Sequence, residues 1–71
     1  METITGQPVS RGDVLSQVVA VGLGRISVPV VVQQVDEEHH GVVLGMTLDG
    51  PPMTNLDGTT RLYDPGKFIK V

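Results

Sequence analysis

The chain has no cysteine and no tryptophan, and its only aromatic residues are Tyr63 and Phe68. The missing thiols exclude disulfide bracing, thiol redox chemistry and thiolate metal sites. Positive charge is scarce: five Lys and Arg stand against eight Asp and Glu, for a net charge of −3. Arg11, Arg25, Arg61, Lys67 and Lys70 are scattered and no two are adjacent. A nucleic-acid binder normally shows a basic stripe that displaces phosphate counterions, so that partner is disfavoured. No apolar run approaches the ~18–20 residues of a membrane-spanning helix. Met1-Glu2-Thr3 lacks the basic start and apolar segment of a secretory signal, and the chain is expected to be a complete small gene product.

What remains is a short, valine-rich chain of 71 residues, one domain at most. A domain this size buries only about 60–65% of the surface its unfolded form exposes. Ordering it costs roughly 1.5 kcal/mol per residue. A core of Val, Leu and Ile with two aromatics is thin for that task. With disulfides ruled out, oligomerisation or docking onto a larger partner is the expected way to bury enough apolar surface.

Residues 1–10 are polar, contain Gly6 and Pro8, and read as an arm or loose first strand. Residues 11–71 read as a single small β domain. Val14–Val21 has two readings. Val14, Leu15, Val18 and Val19 match a helical stripe with Asp13 as N-cap, while the β-branched content and the Gly22-Leu23-Gly24 break favour a strand. Ile26–Val35 is the clearest strand. On period two, Ile26, Val28, Val30 and Val32 share one face, and Ser27, Pro29, Val31, Gln33 and Val35 the other. Pro29 removes a ladder donor, which marks an edge or a bulge. Asp36–Gly41 reads as a polar turn. In the next strand Val42, Leu44, Met46 and Leu48 alternate with Val43, Gly45 and Thr47. Residues 49–60 read as an exposed loop. Asp64-Pro65-Gly66-Lys67 has type II turn chemistry and is expected to join Arg61–Tyr63 to Phe68–Val71 as a terminal hairpin. The expected fold is all-β, a small compact barrel or sandwich of four to six short strands with that C-terminal hairpin.

Reactive motifs are few, and each has a plainer structural reading. His39-His40 beside Asp36, Glu37 and Glu38 has metal-ligand chemistry but matches no zinc spacing; a solvated turn is expected. With Ser10, Ser16 and Ser27 as the only serines, no catalytic triad can be assembled. Arg11-Gly12-Asp13 is the tripeptide read by adhesion receptors, yet Gly-Asp also serves as a strand-opening turn. Gly22-Leu23-Gly24-Arg25 is similar to a phosphate loop, but Ser27 stands where the third glycine belongs and Val28-Pro29-Val30 is no helix. Tyr63 and Phe68 can be base-stacking platforms or core anchors, and the second is expected. No catalytic, cofactor or metal residue is expected, and the chain is not expected to be an enzyme.

The second half carries a resemblance. Gly41-Val42-Val43-Leu44-Gly45-Met46-Thr47-Leu48-Asp49, a variable loop, and then Thr59-Thr60-Arg61-Leu62-Tyr63-Asp64-Pro65-Gly66-Lys67-Phe68 resemble the end of tailed-phage head decoration proteins. Gly6-Gln7-Pro8-Val9-Ser10-Arg11-Gly12-Asp13-Val14-Leu15 is similar to their opening. Together these matches cover about half of the chain and consist of glycine and apolar patterns. The resemblance implies a compact, often trimeric β fold that sits on a capsid and braces neighbouring shell subunits. It also implies a virion location, in place of the cytoplasmic one otherwise expected. The segment reaching the shell would correspond to Met1–Pro8, although the long flexible arm of that family is missing here.

The expected function is thus a non-enzymatic structural accessory protein that binds a protein surface, its own copies, or both. Its expected interface residues are Ile26, Val28, Val30, Val31, Val32 and Val35, with Thr3 and Ile4 on the arm. Val31 is singled out as an apolar residue on the polar face of an edge strand. The alternative is a small SH3-like or OB-like barrel binding RNA or single-stranded DNA through Arg25, Arg61, Lys67 and Lys70 around Tyr63 and Phe68.

Overall fold

A computed structural model describes residues 1–21 and 24–71, apart from the side chains of 18–27. Five strands form one antiparallel sheet: β1 (Val14–Val21), β2 (Gly24–Asp36), β3 (Gly41–Gly45), β4 (Leu62–Tyr63) and β5 (Ile69–Lys70), in the spatial order β4-β3-β2-β1-β5. Val14–Val21 is a strand and not a helix, because its eight residues pair one for one with Val31 back to Gly24. Its four β-branched valines suit that pleated surface.

The sheet is open, neither a barrel nor a sandwich, and the expected terminal hairpin does not form. β4 pairs with β3 and β5 pairs with β1, at opposite edges of the sheet. Between them Pro65–Lys67 makes one 3-10 turn, with Gly66 N–H donating to Asp64 Oδ1 at 2.9 Å. A flat sheet would hold its two edge strands about 19 Å apart, four steps of ~4.8 Å. The Tyr63 and Phe68 rings nevertheless meet edge to face with centroids 6.0 Å apart. The sheet therefore curls until its edges nearly touch, and the Pro-Gly turn bridges them without a hydrogen-bonded ladder.

The concave face holds the core. Val9, Leu15, Val30, Val32, Val42, Leu44 and Phe68 are buried there, and Met1, Val35, Met53 and Tyr63 pack against them. Strict alternation assigns Val35 to the face opposite Val32. The structure puts both on the core face, because the β2–β3 register shifts between Val32 and Gln34 and leaves Gln33 as an extra residue. Such a bulge re-aims the strand after it. Val32 then stands opposite Leu44 and Val35 opposite Val42.

Pro29 marks an edge for only half of the strand. From Val31 to Asp36, β2 lies between β1 and β3. From Gly24 to Val30 it pairs, among the described residues, with β1 alone. Val32 donates to the Asp13 carbonyl and accepts from Gly12 N–H, both at 2.8 Å. By alternation Pro29, three residues earlier, turns its nitrogen away from β1, where β3 has already ended. No ladder bond is lost.

β3 stops at Gly45, short of the expected Leu48. Gly45 bridges Pro52, and the Gln33 side chain donates from Nε2 to the carbonyls of Thr47 (2.8 Å) and Gly50 (2.9 Å). That amide folds residues 46–50 back on themselves. A Cβ on Gly45 would lie 2.8 Å from Gln33 Cδ and 3.1 Å from the Pro51 carbonyl oxygen, so any side chain there must displace the Gln33 amide.

Candidate interaction surface

Residues 1–9 close into a turn against the core. Glu2 bridges Pro8, Thr3 N–H donates to Gln7 O at 2.8 Å, and Val9 N–H donates to Met1 O at 3.1 Å. Ile4 N–H reaches the Phe68 carbonyl at 2.9 Å. Thr3, expected at an interface, is buried, with its hydroxyl beside Thr5 and accepting from Gln7 N–H. Ile4 is exposed.

Of the interface residues expected on β2, Val30 and Val32 are buried in the core and Val35 packs against it. Val31 is half-buried on the outer face, opposite Val14 on one side and Gly45 on the other. The Ile26 side chain lies outside the described residues, as do Gly22 and Leu23 of the glycine-rich turn and the Arg25 side chain. Val28 remains 52% exposed although it shares the core face. It does so because β1 and β2 run on as a two-stranded ribbon beyond the strands that flank them. β5 reaches only Leu15 and Ser16, and β3 only Val31.

Where ribbon and core meet, the concave face stays open as an apolar groove of about 180 Å³. Gln17 and Val28, opposite each other on the ribbon, form one end, and Val30 and Leu44 the floor. Met53, Tyr63 and Phe68 form the other wall. Sequence reasoning named Val28 and Val30 as interface and Tyr63 and Phe68 as core anchors or stacking platforms, but did not join them to Gln17, Leu44 and Met53, since the groove exists only once the sheet curls. The Arg61 guanidinium sits over the Tyr63 ring at 4.8 Å, and Arg61 and Lys67 line a depression beside the groove.

Leu56 was also missed. Residues 54–60 form a small hairpin-like turn, with Thr54 bridging Thr60 and Asn55 N–H donating to Thr59 O at 2.8 Å. Gly58 takes φ +89° and donates to Asn55 O. Asp57 Oδ1 accepts from the Thr59 hydroxyl and, at 3.0 Å, from its N–H. The Thr59 hydroxyl, and next its N–H, hold the Asp57 carboxyl below the usual carboxylate range. At the tip of this braced turn Leu56 is fully exposed. Its signal in the sequence was a lone leucine inside Asn55-Leu56-Asp57-Gly58, where turn chemistry calls for polar residues.

The remaining motifs serve the fold. Asp13 of Arg11-Gly12-Asp13 accepts from Ser10 N–H at 2.8 Å and pairs with Lys70 at 3.2 Å. The Ser10 N–H pulls its carboxyl below the usual range, burial opposes it next, and Lys70 adds to the lowering. Gly12, at φ +94°, makes the turn. His39 Nδ1 lies 2.9 Å from Asp36 Oδ2 and its N–H caps the same carboxylate, while His40 takes φ +54°. The His39 ring and then its N–H lower the Asp36 carboxyl. No group of three or more potential metal-ligating side chains occurs among the described residues. Of the four cations expected around Tyr63 and Phe68, Arg61 and Lys67 line the depression beside those rings, and the Arg25 side chain lies outside the described residues. Lys70 is spent on Asp13, Arg61 covers the face of Tyr63, and Phe68 is buried.

No protein-family model, curated protein or solved structure matches this chain.

Proposed function

We propose that this protein is a non-enzymatic structural accessory protein that docks on protein surfaces, its own copies included, and serves as a capsid-stabilising decoration protein on the virion. The supporting observation is the apolar groove left open on the concave face, continuous with a two-stranded ribbon whose outer edges have no strand beside them among the described residues. A one-layer sheet with seven core residues among those described gains most by having that face covered. A ribbon strand that pairs, among the described residues, on one side only favours protein as the cover, since another chain can add a strand there. The pairing of Lys70 with Asp13 and the net charge of −3 favour protein over nucleic acid.

Two measurements test this reading. Sedimentation of the purified chain should give a mass that rises with concentration above that of the 7.6 kDa monomer. Co-sedimentation with shells assembled from the major capsid protein of the same genome should leave the chain on the shells at sub-stoichiometric free concentration. A folded 7.6 kDa monomer that neither self-associates nor binds shells overturns the proposal.

A further inference from the structure

Leu56 and the groove are complementary features of one chain. An apolar cavity of about 150 Å³ takes up benzene, so a groove of about 180 Å³ has room for one leucine side chain. Leu56 is the most exposed large apolar residue among those described. The hydrogen bonds from Asn55, Asp57 and Thr59 hold its turn in one shape, so little ordering remains for binding. Charge agrees as well. Asp57 follows Leu56, and the depression beside the groove carries Lys67 and Arg61 against one carboxylate, Asp64, with Arg61 also lining the pocket beside Leu56 of its own copy.

We propose that Leu56 of one copy seats in the groove formed by Val28, Leu44, Met53, Tyr63 and Phe68 of the next, with Asp57 facing Lys67 across the contact. The contact rests on the self-association part of the reading above. It joins two different patches, so copies pair reciprocally about a two-fold axis where both patches can meet at once, and otherwise add head to tail. Each copy keeps one knob and one groove in use.

Leu56 and Val28 are both exposed, so L56D and V28E leave the core untouched. Each should weaken self-association by about 10- to 100-fold, the equivalent of one buried aliphatic side chain. Because L56D keeps its groove and V28E keeps its knob, an equimolar mixture should form heterodimers and stop there. A second readout uses the absence of native cysteine. Mixed Leu56→Cys and Val28→Cys chains should form the mixed disulfide in preference to either like pair. If wild type and L56D assemble alike, or if the like disulfides dominate, the knob-and-groove contact is wrong while self-association stands. If the wild-type chain stays monomeric at all concentrations, the contact does not exist, and shell binding alone decides the broader reading.

Discussion

Asp13 shows how a motif residue can be consumed by the fold. Its carboxylate is stabilised chiefly by Ser10 N–H and then by Lys70, so its folded pKa lies below the ordinary 3.8. A depressed carboxylate contributes stability that is present above its unfolded pKa and is lost as pH falls through the folded value. Asp13→Ala should therefore cost about 1 kcal/mol at neutral pH, with the gap to wild type closing below pH ~4. Urea midpoints at pH 7 and pH 3 read this directly; an unchanged gap would remove Asp13 from the acid response. Gly45 presents the steric counterpart. Gly45→Ala pushes against the Gln33 amide and should cost about 1–3 kcal/mol. In a Gln33→Ala background that cost should shrink, because the far end of Gln33 is the first obstacle. A double-mutant cycle with no coupling would argue against the clamp.

Among the elements, β2 does the most. One extra residue, Gln33, allows the segment before it to put Val30 and Val32 on the core face and the segment after it to put Val35 there too. The same residue folds back the 46–50 loop. Alternation alone cannot find this, because a period-two pattern read without a bulge assigns every later residue to the wrong face. Val31 illustrates the consequence. It forms an outer-face apolar pair with Val14, directly opposite in β1, and not with Val35. Val31→Asp removes about 1.5–2 kcal/mol of valine burial at most. Circular dichroism should show the isolated subunit still folded, while sedimentation reports weaker assembly if a partner covers this face. An unfolded variant would make Val31 a fold residue, and an unchanged mass would leave the face solvated.

The whole molecule is thinly held. A 71-residue chain has a total stability of about 4–10 kcal/mol. Phe68 is the largest side chain in the core cluster and ties β5, the 1–9 turn and Tyr63 together. Phe68→Ala should cost about 3–5 kcal/mol, a large share of that total, and should sharply lower the thermal and urea midpoints of the isolated chain. Assembly adds stability by mass action, so the same variant should be partly rescued at high protein concentration. A loss near 1 kcal/mol would mean that the curled sheet does not depend on this anchor.

Valine density, β-branching and the turn chemistry at Asp36–Gly41 were enough to place β2 and β3 in an all-β chain, while Val14–Val21 kept a helical reading beside the strand and Asp64–Lys67 suggested a hairpin that does not form. Each of those signals is local and acts within a few residues. The absence of cysteine and of clustered cations, and the shortage of core-forming residues, pointed by themselves toward a partner-dependent protein. Tertiary structure alone decided the rest. Whether Arg61–Tyr63 and Phe68–Val71 pair with each other or with distant strands depends on how far the sheet curls, which no local signal encodes. The bulge at Gln33 depends on the loop carbonyls of Thr47 and Gly50 that reward it. The groove brings Gln17, Val28, Leu44, Met53, Tyr63 and Phe68 together from six separate segments, so its existence is a property of closure and not of any stretch of chain.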